Sequence, residues 1–331
     1  MKTPRAFCFA CGMMVALITI LLSSQVHAQK PRFTDPKNAD ADFAYQGEYV
    51  GEVGDQTHGA QIVALGKGQF QAYGFAGGLP GEGWDGSEKM VVKNKGVLKD
   101  GVVVFSGNED VNGDIKKNVL TIRTPEGEKL GELKKVIRKS KTLGQAPPSG
   151  AKVLFDGSSV AGWKNGKMSK EGLLMAGTTS QQTFGSHKVH IEFLLPYMPQ
   201  DRGQGRGNSG IYVQGRYEVQ MLDSFGLEGK MNECGGIYSV SGVKPNMCFP
   251  PLSWQTYDID YTAPKYEGDK LVENPRITVM HNGVKIHDDV ELPGNRNTTA
   301  APLKAGNTKG PVYLQNHGCP VHYRNIWVVE K

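Results

Sequence analysis

The stretch that decides the reading is Asn208–Phe225, NSGIYVQGRYEVQMLDSF. Side chains on a strand alternate between faces, so Tyr217, Val219 and Met221 share one face and Arg216, Glu218 and Gln220 the other. The first set suits the space between two packed sheets. The second is a row of charge and amide, expensive to hide without partners. It predicts either a solvated outer face with an Arg216–Glu218 surface ion pair, or a functional groove. Asp223 is one residue out of register with that row, and a β-bulge at Met221 or Leu222 would bring it onto the same face. Two carboxyl groups close together in a groove are what glycosidic cleavage uses: one acid for the leaving oxygen, one base or nucleophile.

The same alternation extends on both sides. His187–Leu195 puts Val189, Ile191, Phe193 and Leu195 on one side and His190 and Glu192 on the other. Gln255–Tyr261, Ile277–Met280, Val312–Leu314 and Asn325–Val329 read as further strands, and His281-Asn282-Gly283 as a hairpin turn that accepts positive φ angles. Many strands and no convincing helix predict an all-β protein whose C-terminal part is two antiparallel sheets packed face to face. Upstream, Lys139–Gly150 (KSKTLGQAPPSG) has linker composition. The organisation read from this is a polar lead-in over 29–42, a small β-rich domain over 43–140, a linker over 141–150 and the sandwich over 151–331. Within the smaller domain, Gly74–Gly86 lacks the Gly-Lys-Ser/Thr ending of a phosphate loop and reads as a surface loop.

Composition narrows the function classes. The 331 residues include 43 Gly and 18 Pro without a collagen period, and 38% are hydrophobic, which is ordinary for a globular chain. The net charge of +5 includes Lys2 and Arg5 and is too small to argue for nucleic acid. Residues 1–28 read as a secretory signal: a basic start, the apolar run Ala6–Leu22, and Val26-His27-Ala28 as a small-residue cleavage site. An uncleaved anchor is the alternative. No later segment is apolar enough to span a bilayer, so a secreted or periplasmic protein is expected. Of the remaining cysteines, Cys234 and Cys248 could form a disulfide, or Cys234, Cys248 and Cys319 could be buried thiols; their spacing matches no zinc pattern.

Glu218–Asp223 is similar to the Glu-x-Asp-x-x-Glu strand of laminarinase-type glycoside hydrolases, with Gln220 and Asp223 departing from that pattern. More of the chain resembles the 3-keto-disaccharide hydrolase family. The matching segments are Leu154-Phe155-Asp156-Gly157 with Gly162-Trp163, Asn208–Ile211, Tyr217–Asp223, Cys234–Tyr238, Pro250-Pro251 before Trp254–Asp258, His281–Gly283, Gln315–Gly318 and Arg324–Trp327. They recur in order over 151–331. The resemblance implies a concanavalin-like jelly roll acting on sugars oxidised at carbon 3; a carbohydrate is the expected partner, and no cofactor is expected.

A C3 ketone acidifies the hydrogen on C2, so a base can remove it and the anomeric substituent can leave by elimination. Such a site needs a base, an electrophile for the enolate oxygen and an acid for the leaving group. Glu218 is the expected base or nucleophile, Asp223 the acid and Arg216 the enolate partner; direct hydrolysis by Glu218 and Asp223 stays open. Gln315 and His317 share a face with Tyr313, and His317 near Glu218 would serve as acid or base, or else as a turn residue. Asn208, Gln214, Gln220 and Gln315 suit sugar hydroxyls, and Tyr238 or Trp254 a pyranose face. His281 reads as structural. The run His287, Asp288, Asp289, Glu291 is linear, not a converging metal cage. The rivals are a carbohydrate-binding module on the same fold and a cell-surface interaction protein.

Overall fold

The computed structural model describes residues 30–331. The signal-peptide reading of 1–28 falls outside them. Among the described residues no helix is long and apolar enough to cross a membrane.

The N-terminal strands form one antiparallel sheet of nine. Gly47–Val53, Gln56–Gly66, Gln69–Ala76, Gly96–Lys99, Val102–Phe105, Asn112–Lys116, Val119–Arg123 and Lys129–Val136 each pair with their neighbours in sequence. Lys129–Val136 then pairs back onto Gly47–Val53, so these strands close into an up-and-down barrel. Met90–Val91 hangs on the side of Gln69–Ala76. Gly74–Ala76 belongs to a strand, and Leu79 in the following turn is buried, so the glycine-rich segment is less loop-like than its composition predicts.

The C-terminal part is a sandwich. The larger sheet has seven strands: Lys152–Phe155, His322–Glu330, His187–Leu194, Trp254–Thr262, Arg276–His281 and Val284–Glu291 in spatial order, with Leu174–Met175 also on His322–Glu330. The smaller has five, in the order Trp163–Lys164, Thr178–Phe184, Gly310–Leu314, Ser209–Val213 and Tyr217–Met221. Between them lies one apolar core that includes Ile191, Phe193, Ile211, Val219, Tyr257 and Leu314. This is the all-β, two-sheet antiparallel sandwich the alternation predicts, and it is consistent with the jelly roll the family resemblance implies. Asn282 and Gly283 both have positive φ in the turn between Arg276–His281 and Val284–Glu291. His281 is fully buried there, and burial lowers its pKa to about 3, as befits a structural residue.

The two units exchange side chains. Val63 of the barrel packs in the sandwich core, while Tyr197 of the sandwich packs in the barrel core. Arg206 donates to the Ala64 carbonyl (3.1 Å) and Arg202 to that of Leu65 (2.8 Å). The connecting segment is also pinned. Ser140 and Thr142 bond the Thr256 hydroxyl, Thr142 donates to Asp258, and the Gly144 amide donates to Glu192 (2.6 Å).

Candidate active site

The outer face of the five-stranded sheet carries a continuous polar row. Lys164 is opposite Thr179, Thr179 opposite Tyr313, Tyr313 opposite Tyr212, and Tyr212 opposite Glu218. Directly paired residues point to the same side of a sheet, so all five share that face. Gln220 joins them opposite Gly210. Tyr238 follows the buried Ile237 and donates its amide to the Glu218 carbonyl (3.3 Å), which runs its segment along the edge strand.

Glu218 is the centre of this face. Its side chain is only about 2% exposed. Turned so that its nitrogen faces Glu218, the Gln220 amide donates to the Glu218 carboxyl (3.0 Å) and to the Ser209 carbonyl (3.3 Å). Burial pushes the Glu218 pKa up to about 8, with the Tyr212 hydroxyl beside it pulling the other way. The Tyr212 hydroxyl donates to the Thr299 carbonyl (2.9 Å) and accepts from Gln315 Nε2 (3.0 Å). Asn208 donates to the Gln204 carbonyl and side chain (2.8 and 3.0 Å). Gly210 is required here because a Cβ on it would overlap the Glu218 carboxyl. Thr298 fixes the strand beneath: its hydroxyl accepts the Glu218 amide (2.9 Å) and donates to the Arg216 carbonyl (3.0 Å). Tyr313 and Gln315 are half-buried, and so is Tyr238.

Glu218, Gln220, Asn208, Gln315 and Tyr238 therefore gather on one side, and the other residues singled out from the sequence do not join them. The Tyr217–Met221 ladder runs without a bulge to Ser209↔Met221. Asp223, beyond its end, is buried against Arg206 (2.6 Å) at the barrel contact. Arg216 makes no ion pair with Glu218. Its guanidinium donates to the carbonyls of Lys304 (2.7 Å) and Thr308 (3.0 Å) and to the Thr308 hydroxyl (2.8 Å), holding the 292–309 loop against the edge strand. Gln214 has positive φ and turns inward, accepting from the Tyr261 hydroxyl (2.9 Å). Trp254 is on the other sheet, under the Arg324 guanidinium at 4.0 Å. His317 is exposed on the turn after Gly310–Leu314, with no hydrogen bond to Glu218. Cys234 and Cys248 are free, buried thiols, not a disulfide. Among the described residues no group of His, Cys, Asp and Glu converges as a metal site.

Sequence reasoning passed over Tyr212, Gly210, Gln204 and Thr298. Tyr212 was accessible: it alternates with Ile211 and Val213 and faces the polar row. Gln204 comes from the single 3-10 turn Gly203–Gly205 and Thr298 from a loop, and neither carries a periodic signal.

A buried carboxyl whose pKa is pushed up to about 8, ringed by amides and phenols on a sandwich face, is chemically suited to taking up and giving back a proton. Comparison with known proteins shows a glycoside-acting protein of the glycosidase type. Residues 150–329 match the model of the 3-keto-alpha-glucoside-1,2-lyase-like domain, and the chain belongs to that family. It is also similar to a crystal structure from Parabacteroides distasonis ATCC 8503, provisionally described as a glycosyl hydrolase. Identity there is 34%, over 56% of this chain and 85% of that one, with a TM-score of 0.50. A second Parabacteroides distasonis structure of the same description aligns at 17% identity over 55% of this chain and 94% of its own, with a TM-score of 0.40. No protein of curated function matches.

Proposed function

We propose that the protein cleaves 3-keto-glycosides by elimination across C1–C2, with Glu218 as the proton-transfer group. The observation that carries this is the solitary state of Glu218. It is the one carboxyl in the network among the described residues, its pKa is pushed up to about 8, and Asp223 is occupied by Arg206. Glycosidases that displace directly use two carboxyl groups about 5–9.5 Å apart. Elimination needs one group that can take and give back a proton.

In this reading the Glu218 carboxylate takes the C2 hydrogen as a proton, and the C2–H electrons pass into the C3 ketone as an enolate. Amide and phenol donors on this face, Gln220 and Gln315 among them, suit the enolate oxygen. Collapse of the enolate forms the C1=C2 bond and expels the anomeric oxygen, which takes the proton back from Glu218. Water adds to the resulting enone in a later step. A base whose pKa lies near the working pH is matched to this task. Arg216 and Thr298 are positioning residues, because they act on the loop and strand around Glu218.

Turnover of a 3-keto-glucoside in D2O tests the route. Elimination followed by hydration leaves deuterium at C2 of the released keto sugar, beyond the exchange of that sugar in buffer alone. Retention of hydrogen at C2 would establish direct hydrolysis. No turnover of any keto or plain glycoside would instead favour a binding module. On the strength of Met1–Ala28 the protein is also assigned to the secreted or periplasmic space, which fractionation and a mature N-terminus at Gln29 would bear out.

A further inference from the structure

The inside of the barrel is unlike the inside of the sandwich. An eight-stranded barrel is just wide enough to be filled by side chains or to hold one small ligand. At the end where Gly47–Val53 begins, it is filled: Tyr49, Ile62 and Phe70 are fully buried, and Tyr197 plugs it from the sandwich. Toward the other end the same two central strands continue their inward alternation with Ala60, Ala72, Gly74 and Ala76. These small residues leave a cavity of about 230 Å³, walled mainly by carbon atoms such as those of Phe105, Leu120 and Leu133.

Its polar groups lie at the rim. His58, Glu88 and Asn112 border the cavity. His58 Nδ1 is 3.1 Å from the Gln56 carbonyl, and a carbonyl only accepts, so Nδ1 carries the hydrogen. In the neutral ring Nε2 is then a bare acceptor. Glu88, an acid on the same rim, opposes a second carboxylate. A dry cavity of about 150 Å³ takes benzene, so by volume this one takes about nine carbon atoms.

We propose that the barrel is a second binding site, which takes one neutral, largely apolar molecule of phenol or alcohol class. Its hydrocarbon end fills the space made by Ala60, Ala72, Gly74 and Ala76, and its hydroxyl donates to His58 Nε2. The site is separate from Glu218 and does not depend on the reaction proposed there.

Calorimetric titration of the full chain with 4-propylphenol tests the proposal. One molecule should bind per chain, at least tenfold more tightly than 4-propylbenzoate. Ala72→Phe, which fills the cavity, should weaken binding at least tenfold while leaving turnover at Glu218 unchanged. Ala76→Leu, nearer the rim, gives the same reading should Ala72→Phe fail to fold. The absence of saturable binding, equal binding of the benzoate, or undiminished binding by a folded filled variant would each overturn the proposal.

Discussion

Each sheet of the sandwich buries a glutamate on its outer face, and the two are treated in opposite ways. Glu192, on the seven-stranded sheet, is surrounded by partners. Arg324 donates to it at 2.6 Å, Asn325 at 2.9 Å and the Gly144 amide at 2.6 Å, with His190 alongside. Burial opposes its ionisation, but His190, Asn325, Arg324 and Gly144 outweigh that and lower its pKa to about 2. Glu218, on the five-stranded sheet, is as deeply buried and has no cation, so its pKa rises to about 8. The signs of the two stability contributions follow. Glu192 stabilises the fold above its ordinary pKa of 4.5, and that contribution is lost as pH falls through about 2. Glu218 holds its proton more tightly in the folded state, so its contribution fades as pH rises from 4.5 through about 8. A buried carboxylate supplied with cations braces a structure; one left without them keeps its proton to higher pH.

Replacing Glu218 by Gln should break this comparison most severely. We expect kcat on a 3-keto-glucoside to fall about 10³-fold, the scale of general acid–base catalysis, with the melting temperature maintained. Steady-state kinetics and a thermal scan measure both, and unchanged turnover would remove Glu218 from the mechanism. Next in size is Asp223→Asn. It leaves the buried Arg206 charge without its partner, so denaturant unfolding should show a loss of about 3 kcal/mol, whereas kcat should stay within a few-fold. A collapse of kcat in protein that remains folded would restore Asp223 as the acid.

The pH profile sharpens the contrast further. With Glu218 as base, kcat/KM should climb about tenfold per pH unit below its pKa and level off above about 8. A rate that falls through the same region would make the protonated form the active one. The smallest effect is expected from Glu192→Gln. Arg324 is partly exposed, so its lost partner should cost about 2 kcal/mol, with kcat unaffected. A large kinetic effect there would erase the distinction between the two faces.

How much of this was legible depends on distance along the chain. Alternation in Tyr217–Leu222 and in His187–Leu195 fixes which residues face the core, because that signal is local. It also places Glu218 and Gln220 on one face, where they are found. The register between separate strands carries no such signal, so the row from Lys164 to Glu218 emerges only once the sheet is assembled. Asp223 looked like a second acid because its partner, Arg206, lies in a loop. Arg216 looked like a functional cation because the carbonyls it holds belong to residues 304 and 308. Barrel closure rests on pairing Gly47–Val53 with Lys129–Val136, segments far apart in sequence. The polar, small residues of 139–150 look like a slack tether, yet their hydroxyls and amides are the groups that bond Thr256, Asp258 and Glu192.

The swap of Val63 for Tyr197 ties each unit to the other. A unit that lends a side chain to its neighbour's interior, and borrows one in return, cannot be cut away cleanly. Excising the barrel would uncap one interior and take the Ala64 and Leu65 carbonyls from Arg206 and Arg202, so in this chain the sandwich is not a free-standing cassette.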